Sequence, residues 1–102
     1  MNAEQILSAA RTQAAHTLPG AQDGYPCGFA WVTIKPARGP FVKYLKDVGV
    51  GRKGTYGGYE ISSYDVCNWN GQNMYVKEDA CRAFVDVLQA NGIDARVESR
   101  MD

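Results

Sequence analysis

The stretch Gly28-Phe29-Ala30-Trp31-Val32-Thr33-Ile34-Lys35 constrains the fold more than any other part of the chain. β-branched and aromatic residues dominate it and turn residues bound it, which predicts a strand. Alternate side chains of a strand point to opposite faces. Ala30, Val32 and Ile34 then share one face, and Phe29, Trp31 and Thr33 share the other. Both faces are largely apolar, so the expectation is a central strand covered on both sides.

What surrounds this strand is bounded by size and composition. A chain of 102 residues is read as a single domain, 1–102. At that size roughly two thirds of the unfolded chain's surface can be buried, so a core needs no metal or disulfide support. Hydrophobic residues are 45% of the chain and no apolar run is long enough for a membrane span. No basic stretch followed by a long apolar one opens the sequence, so no secretory signal is expected. Cys27, Cys67 and Cys81 are odd in number and irregular in spacing, which predicts reduced, metal-free thiols in a cytoplasmic setting.

The flanking segments read as follows. Asn2 and Gln5 form a capping-box pattern, and Ile6, Leu7, Ala10, Ala14 and Leu18 follow at helical spacing until Pro19-Gly20 stops the helix. Pro19 to Pro26 is a turn-rich connector. After the strand, Pro40 suits the first position of a short helix, Phe41 to Asp47. Gly49 to Gly58 holds five glycines and reads as a flexible loop. Gly49, Gly51 and Gly54 match the G-x-G-x-x-G spacing, but no strand precedes them and no helix follows, so a dinucleotide site is rejected.

Tyr59 to Trp69 reads as a second strand and Gln72 to Lys77 as a third, joined by an Asn70-Gly71 hairpin turn. Asp65 falls on the apolar face in that register, so a bulge or an irregular loop is expected near Tyr64 to Asn68. Glu78 and Asp79 then open a helix whose stripe is Cys81, Phe84, Val85 and Leu88, and Asn91-Gly92 ends it. The alternation from Asp94 to Arg100 suits an edge strand.

This order predicts an α+β fold, a ferredoxin-like βαββαβ two-layer sandwich preceded by an N-terminal helix. The first and third strands would be central and the last would lie at an edge beside the first. A helix on a plain antiparallel meander is the alternative. With both helices on one side, the other sheet face would carry Phe29, Trp31, Tyr64 and Tyr75. Aromatics so placed are similar to those of RNA-recognition domains. The longer glycine and aromatic motif of that family is missing, so its site is not carried over. The first helix is expected to cover this face with Leu7 and Leu18, since a bare patch of that size is unusual on a monomer.

Net charge is zero, yet Lys35, Arg38, Lys43, Lys46, Arg52 and Lys53 are opposed only by Asp47, which gives a basic middle segment. Tyrosine and arginine are frequent interface anchors. The expected partner-binding set is therefore Lys43, Lys46, Arg52, Lys53, Tyr56 and Tyr59. Catalytic chemistry is thin. His16 is the lone histidine and suits a helix C-terminus, Glu78-Asp79 suits a helix N-terminus, and no cysteine pair has zinc-finger spacing. The expectation is a non-enzymatic protein with no catalytic residue, no metal and no cofactor.

Cys27-Gly28-Phe29-Ala30-Trp31-Val32, Tyr56-Gly57-Gly58-Tyr59, Ala83-Phe84-Val85-Asp86-Val87-Leu88, the Gly92-to-Ala95 strand start and the terminal Ser99-Arg100-Met101-Asp102 together resemble small uncharacterised phage and prophage proteins. The resemblance spans Cys27 to Asp102. It implies an accessory protein that modulates a host protein in the bacterial cytoplasm by direct binding, and it supplies no catalytic residue. The alternative is a nucleic-acid-binding module using the basic Gly/Tyr loop and the sheet aromatics.

Overall fold

A four-stranded antiparallel open sheet and four helices make up the fold, which is α+β, in a computed structural model that describes residues 1–102. The elements run α1 (Ala3–Ala15), β1 (Gly28–Ile34), α2 (Pro40–Asp47), β2 (Arg52–Lys53), β3 (Tyr59–Ser62), α3 (Ser63–Cys67), α4 (Met74–Ala90) and β4 (Ala95–Met101). The strand order is β2-β3-β1-β4. β1 is central, between β3 and β4, and β4 is an edge, as their hydrophobic patterns require.

One face of the sheet carries the core. Ala30, Val32 and Ile34 of β1, Ile61 and Tyr59 of β3 and Ala95 of β4 are buried together. α4 lies across β1 and β4 and adds Ala80, Cys81, Phe84, Val85 and Leu88. α2 adds Phe41, Val42 and Leu45, with Pro40 in its first turn. The capping box at Asn2 and Gln5 forms. α1 buries Ile6, Leu7, Ala10 and Ala14, chiefly against α4.

One expected strand is cut short and another is absent. Residues 59–69 do not form one strand: β3 stops at Ser62, whose hydroxyl accepts from the Asp65 N–H and caps α3. That turn buries Val66 and faces Tyr64 outward, and Asn68 ends it in the left-handed conformation (φ 56°). Residues 72–77 are not a strand either. The Asn73 side chain accepts from the Val76 N–H at 3.1 Å, so α4 starts at Met74, ahead of Glu78. Asn70-Gly71 therefore makes no hairpin turn.

The hairpin lies instead in the glycine-rich segment, as β2 and β3 joined by residues 54–58. The Gly54 N–H donates to the Gly58 oxygen at 2.9 Å. Gly57 and Gly58 both have positive φ, which such a turn needs. The segment read as a loop thus holds a short hairpin strand and its turn.

The expected cover of the second sheet face is also overturned. α1 packs on the helical layer, and neither Leu7 nor Leu18 is among the residues lining the open face around the β1 aromatics. Thr33 is buried, Trp31 is half-buried and Phe29 is 44% exposed, so this face of β1 opens to solvent at one end.

Candidate docking site on the open sheet face

Residues directly opposite each other in an antiparallel sheet share a face. Register therefore lays out the open face row by row. Phe29 stands beside Arg100, Trp31 between Ser62 and Glu98, and Thr33 between Glu60 and Arg96. Arg52 of β2 continues the last row beyond Glu60. The middle of this floor is fixed by Glu98, whose Oε2 accepts from the Trp31 indole N–H at 3.2 Å and from the Thr33 hydroxyl. The Thr33 bond, helped by that of Trp31, holds the Glu98 carboxyl below the usual carboxylate range.

Walls rise around the floor and enclose an open trough of about 980 Å³. The β2–β3 turn contributes Thr55 and Tyr56, α3 contributes Tyr64 and Asp65, the following loop contributes Trp69, and α4 contributes Lys77. Gly71 gives Trp69 its place. A Cβ on Gly71 would stand 2.1 Å from the indole ring, so only glycine lets the ring lie against this backbone. The loop is tethered at its far end by Asp23, whose Oδ1 accepts from the Gln72 and Asn73 amides at 2.6 and 3.1 Å. The Gln72 bond above all lowers the pKa of Asp23.

Charge in the trough is mixed. Lys77 Nζ lies 5.5 Å and the Arg100 guanidinium 5.3 Å from the Phe29 ring centre, both within cation–π range. Lys77 also donates to the Gly28 carbonyl at 2.8 Å, which pins it beside the ring. Arg52 faces Glu60 across 3.8 Å, and Asp65 adds another carboxylate to the wall.

The expected partner-binding set is divided by the sheet. Arg52 and Tyr56 line the trough, and Tyr56 is 94% exposed. Lys43 and Lys46 lie on α2 and Lys53 shares the row of Tyr59, all outside the trough. Tyr59 is a correction: it is 3% exposed, its hydroxyl donates to the Val50 carbonyl, and Gly51 packs against its ring. Burial raises its pKa. It anchors the hairpin to the core and cannot touch a partner. Lys46 Nζ sits 5.9 Å from its ring centre.

Tyr64 joins Phe29 and Trp31 in the trough as expected, but from α3 and not from a strand. Tyr75 lies on the first turn of α4 and is not among the lining residues. Trp69, Lys77 and Arg100 were outside the expected set. Their common signal is only that each flanks the β1 aromatics in space, which no local sequence pattern states. The remaining reactive groups lie elsewhere. Cys81 is fully buried on the α4 stripe, and burial pushes its thiol up to about 12. Cys27, Cys67 and Cys81 are free thiols, and no helix is long and apolar enough to cross a membrane.

Comparison with family models, with curated proteins and with solved structures gives no match.

Proposed function

We propose that this protein is a non-catalytic binding module that docks a partner protein in the trough on its open sheet face. The observation that carries the reading is the uncovered aromatic floor of Phe29 and Trp31 beside the exposed rings of Tyr56 and Tyr64. Aromatic side chains bring large contact area and, in tyrosine, a hydrogen-bonding tip, which is what interface anchors need. Arg52, Lys77 and Arg100 alternate with Glu60 and Asp65 around them. A rim of both signs suits a protein surface better than a phosphate backbone, which favours one sign of charge. The resemblance to phage and prophage proteins supports a modulator of a host protein, working in the host cytoplasm.

The order β2-β3-β1-β4 around β1-α2-β2-β3-α4-β4 supports reading the architecture as a ferredoxin-like split motif with α1 added to its helical layer. In that reading the open face is the surface the fold leaves free for recognition.

The test is capture from bacterial lysate with wild type and with Tyr56→Ala/Tyr64→Ala, followed by titration of the purified captured protein. Trp31 and Trp69 both line the trough and are the two tryptophans of the chain, so their emission reports its occupancy. The double variant should bind at least about tenfold more weakly, or ~1.4 kcal/mol. Wild-type affinity in that variant places the site elsewhere. Nucleic acid as the partner would appear as capture lost on nuclease treatment and as affinity falling steeply with salt.

A further inference from the structure

The outer edge of β4 is a second surface without a partner. β4 pairs with β1 on one side and with nothing on the other. The Lys35 N–H donates to the Asp94 carbonyl and the Asp102 N–H to the Cys27 carbonyl. Antiparallel ladders alternate, so the even-numbered residues of β4 turn their main-chain groups toward β1. Ala95, Val97, Ser99 and Met101 turn theirs outward. The Ala95 carbonyl is capped by Gln89 Nε2 at 2.9 Å. Val97 to Met101 is left uncapped.

Exposed edges are commonly blunted by repelling charge. The charges here alternate in sign instead, as Asp94, Arg96, Glu98, Arg100 and Asp102, and Arg96, Glu98 and Arg100 lie on the open face. We propose that a second copy of this chain pairs with β4 in antiparallel register, with the two-fold axis at Ser99, so that the sheet runs on through both copies.

Charge selects the register. An axis at Arg96 or Glu98 sets like charge against like along the whole strand. An axis at Val97 or Ser99 sets opposite against opposite, which stabilises cross-strand pairs. The Ser99 axis places Glu98 opposite the second copy's Arg100 and Arg96 opposite its Asp102. On the helical face it places half-buried Val97 opposite the second copy's Met101, which is 58% exposed in the single chain. It uses only uncapped main-chain groups, whereas the Val97 axis needs the carbonyl that Gln89 holds. Glu78, which accepts from the Ser99 hydroxyl, comes to the axis already countered by Arg82, 3.7 Å away. The open faces of both copies then lie on the same side of one sheet.

Sedimentation equilibrium over a wide concentration range tests the pairing. Wild type should be a monomer–dimer equilibrium that weakens as salt is raised. Arg96→Glu, at an exposed position outside the trough, should raise the dimer dissociation constant roughly tenfold, as two cross-strand pairs change from attraction to repulsion. Adding Asp102→Arg to Arg96→Glu restores opposite charges with the axis at Ser99 and not with the axis at Val97, so the double variant should regain the wild-type constant. Ser99→Pro removes an outward N–H without touching the ladder to β1, and should abolish the dimer while the far-ultraviolet spectrum is kept. A wild type that stays monomeric throughout, an Arg96→Glu variant that dimerises like wild type, or a double variant that is not rescued would each overturn the proposal.

Discussion

Trp31 and Glu98 face each other across the β1–β4 ladder, and the indole N–H of one donates to the carboxylate of the other at 3.2 Å. The same oxygen accepts from Thr33, which is 3% exposed. A single edge-strand acid thus satisfies a buried hydroxyl and fixes the orientation of the ring at the centre of the trough.

This bond makes stability depend on pH. The hydrogen bond from Thr33 holds the folded-state pKa of Glu98 below its ordinary value of 4.5. Its contribution is therefore fully present above that value and is lost as pH falls through the lower folded pKa. Wild type should be more stable to urea than Glu98→Gln at about pH 7, and the difference should shrink as pH is lowered progressively below 4.5. A difference unchanged between those conditions would contradict the assignment.

Tyr56 and Tyr59 stand three residues apart and should respond oppositely. Tyr59→Phe removes the donor to the Val50 carbonyl inside the core and should cost about 1–2 kcal/mol of stability without altering partner affinity. Tyr56→Ala changes a side chain in solvent, so its thermal midpoint should stay within a few degrees of wild type. Partner affinity should fall in that variant alone. Thermal melts and binding titrations on the two proteins settle the roles.

Gly71→Ala should displace Trp69. The added methyl would meet the indole ring at 2.1 Å, so ring or loop must move. The expected readout is a shift in tryptophan emission and weaker partner binding, with the global unfolding midpoint little changed because the loop lies outside the core. An unaltered emission spectrum would show that the ring does not rest on this glycine.

The first helix should behave as part of the core and not as a lid. Leu7 is 5% exposed, and its helix packs on α4. Leu7→Ala should cost about 2–5 kcal/mol in urea denaturation. It should leave the emission of Trp31 and Trp69 in the folded protein unchanged, since Leu7 packs in the helical layer and does not line the trough. A red shift in the folded state would place α1 over the aromatic face after all.

The sequence alone determined the elements whose signals are local. The apolar run from Gly28 to Ile34 makes β1 central, the alternation after Asp94 makes β4 an edge, and caps and stripes place α1, α2 and most of α4. It also singled out Tyr56 and Arg52, which the structure places among the residues lining the trough. Tertiary structure decided the rest. From Tyr59 to Lys77 the β propensity of Tyr, Val and Trp was outweighed by the caps at Ser62 and Asn73 and by the burial of Val66. Those caps are visible in the sequence, but a hydroxyl or amide becomes a cap only once the core has chosen which apolar side chains to take in. Tyr59 entered that core, the first helix chose α4 over the β1 aromatics, and Trp69, Lys77 and Arg100 met around Phe29. Each of these outcomes is a competition between distant residues for the same buried surface, and no short stretch of sequence carries the result.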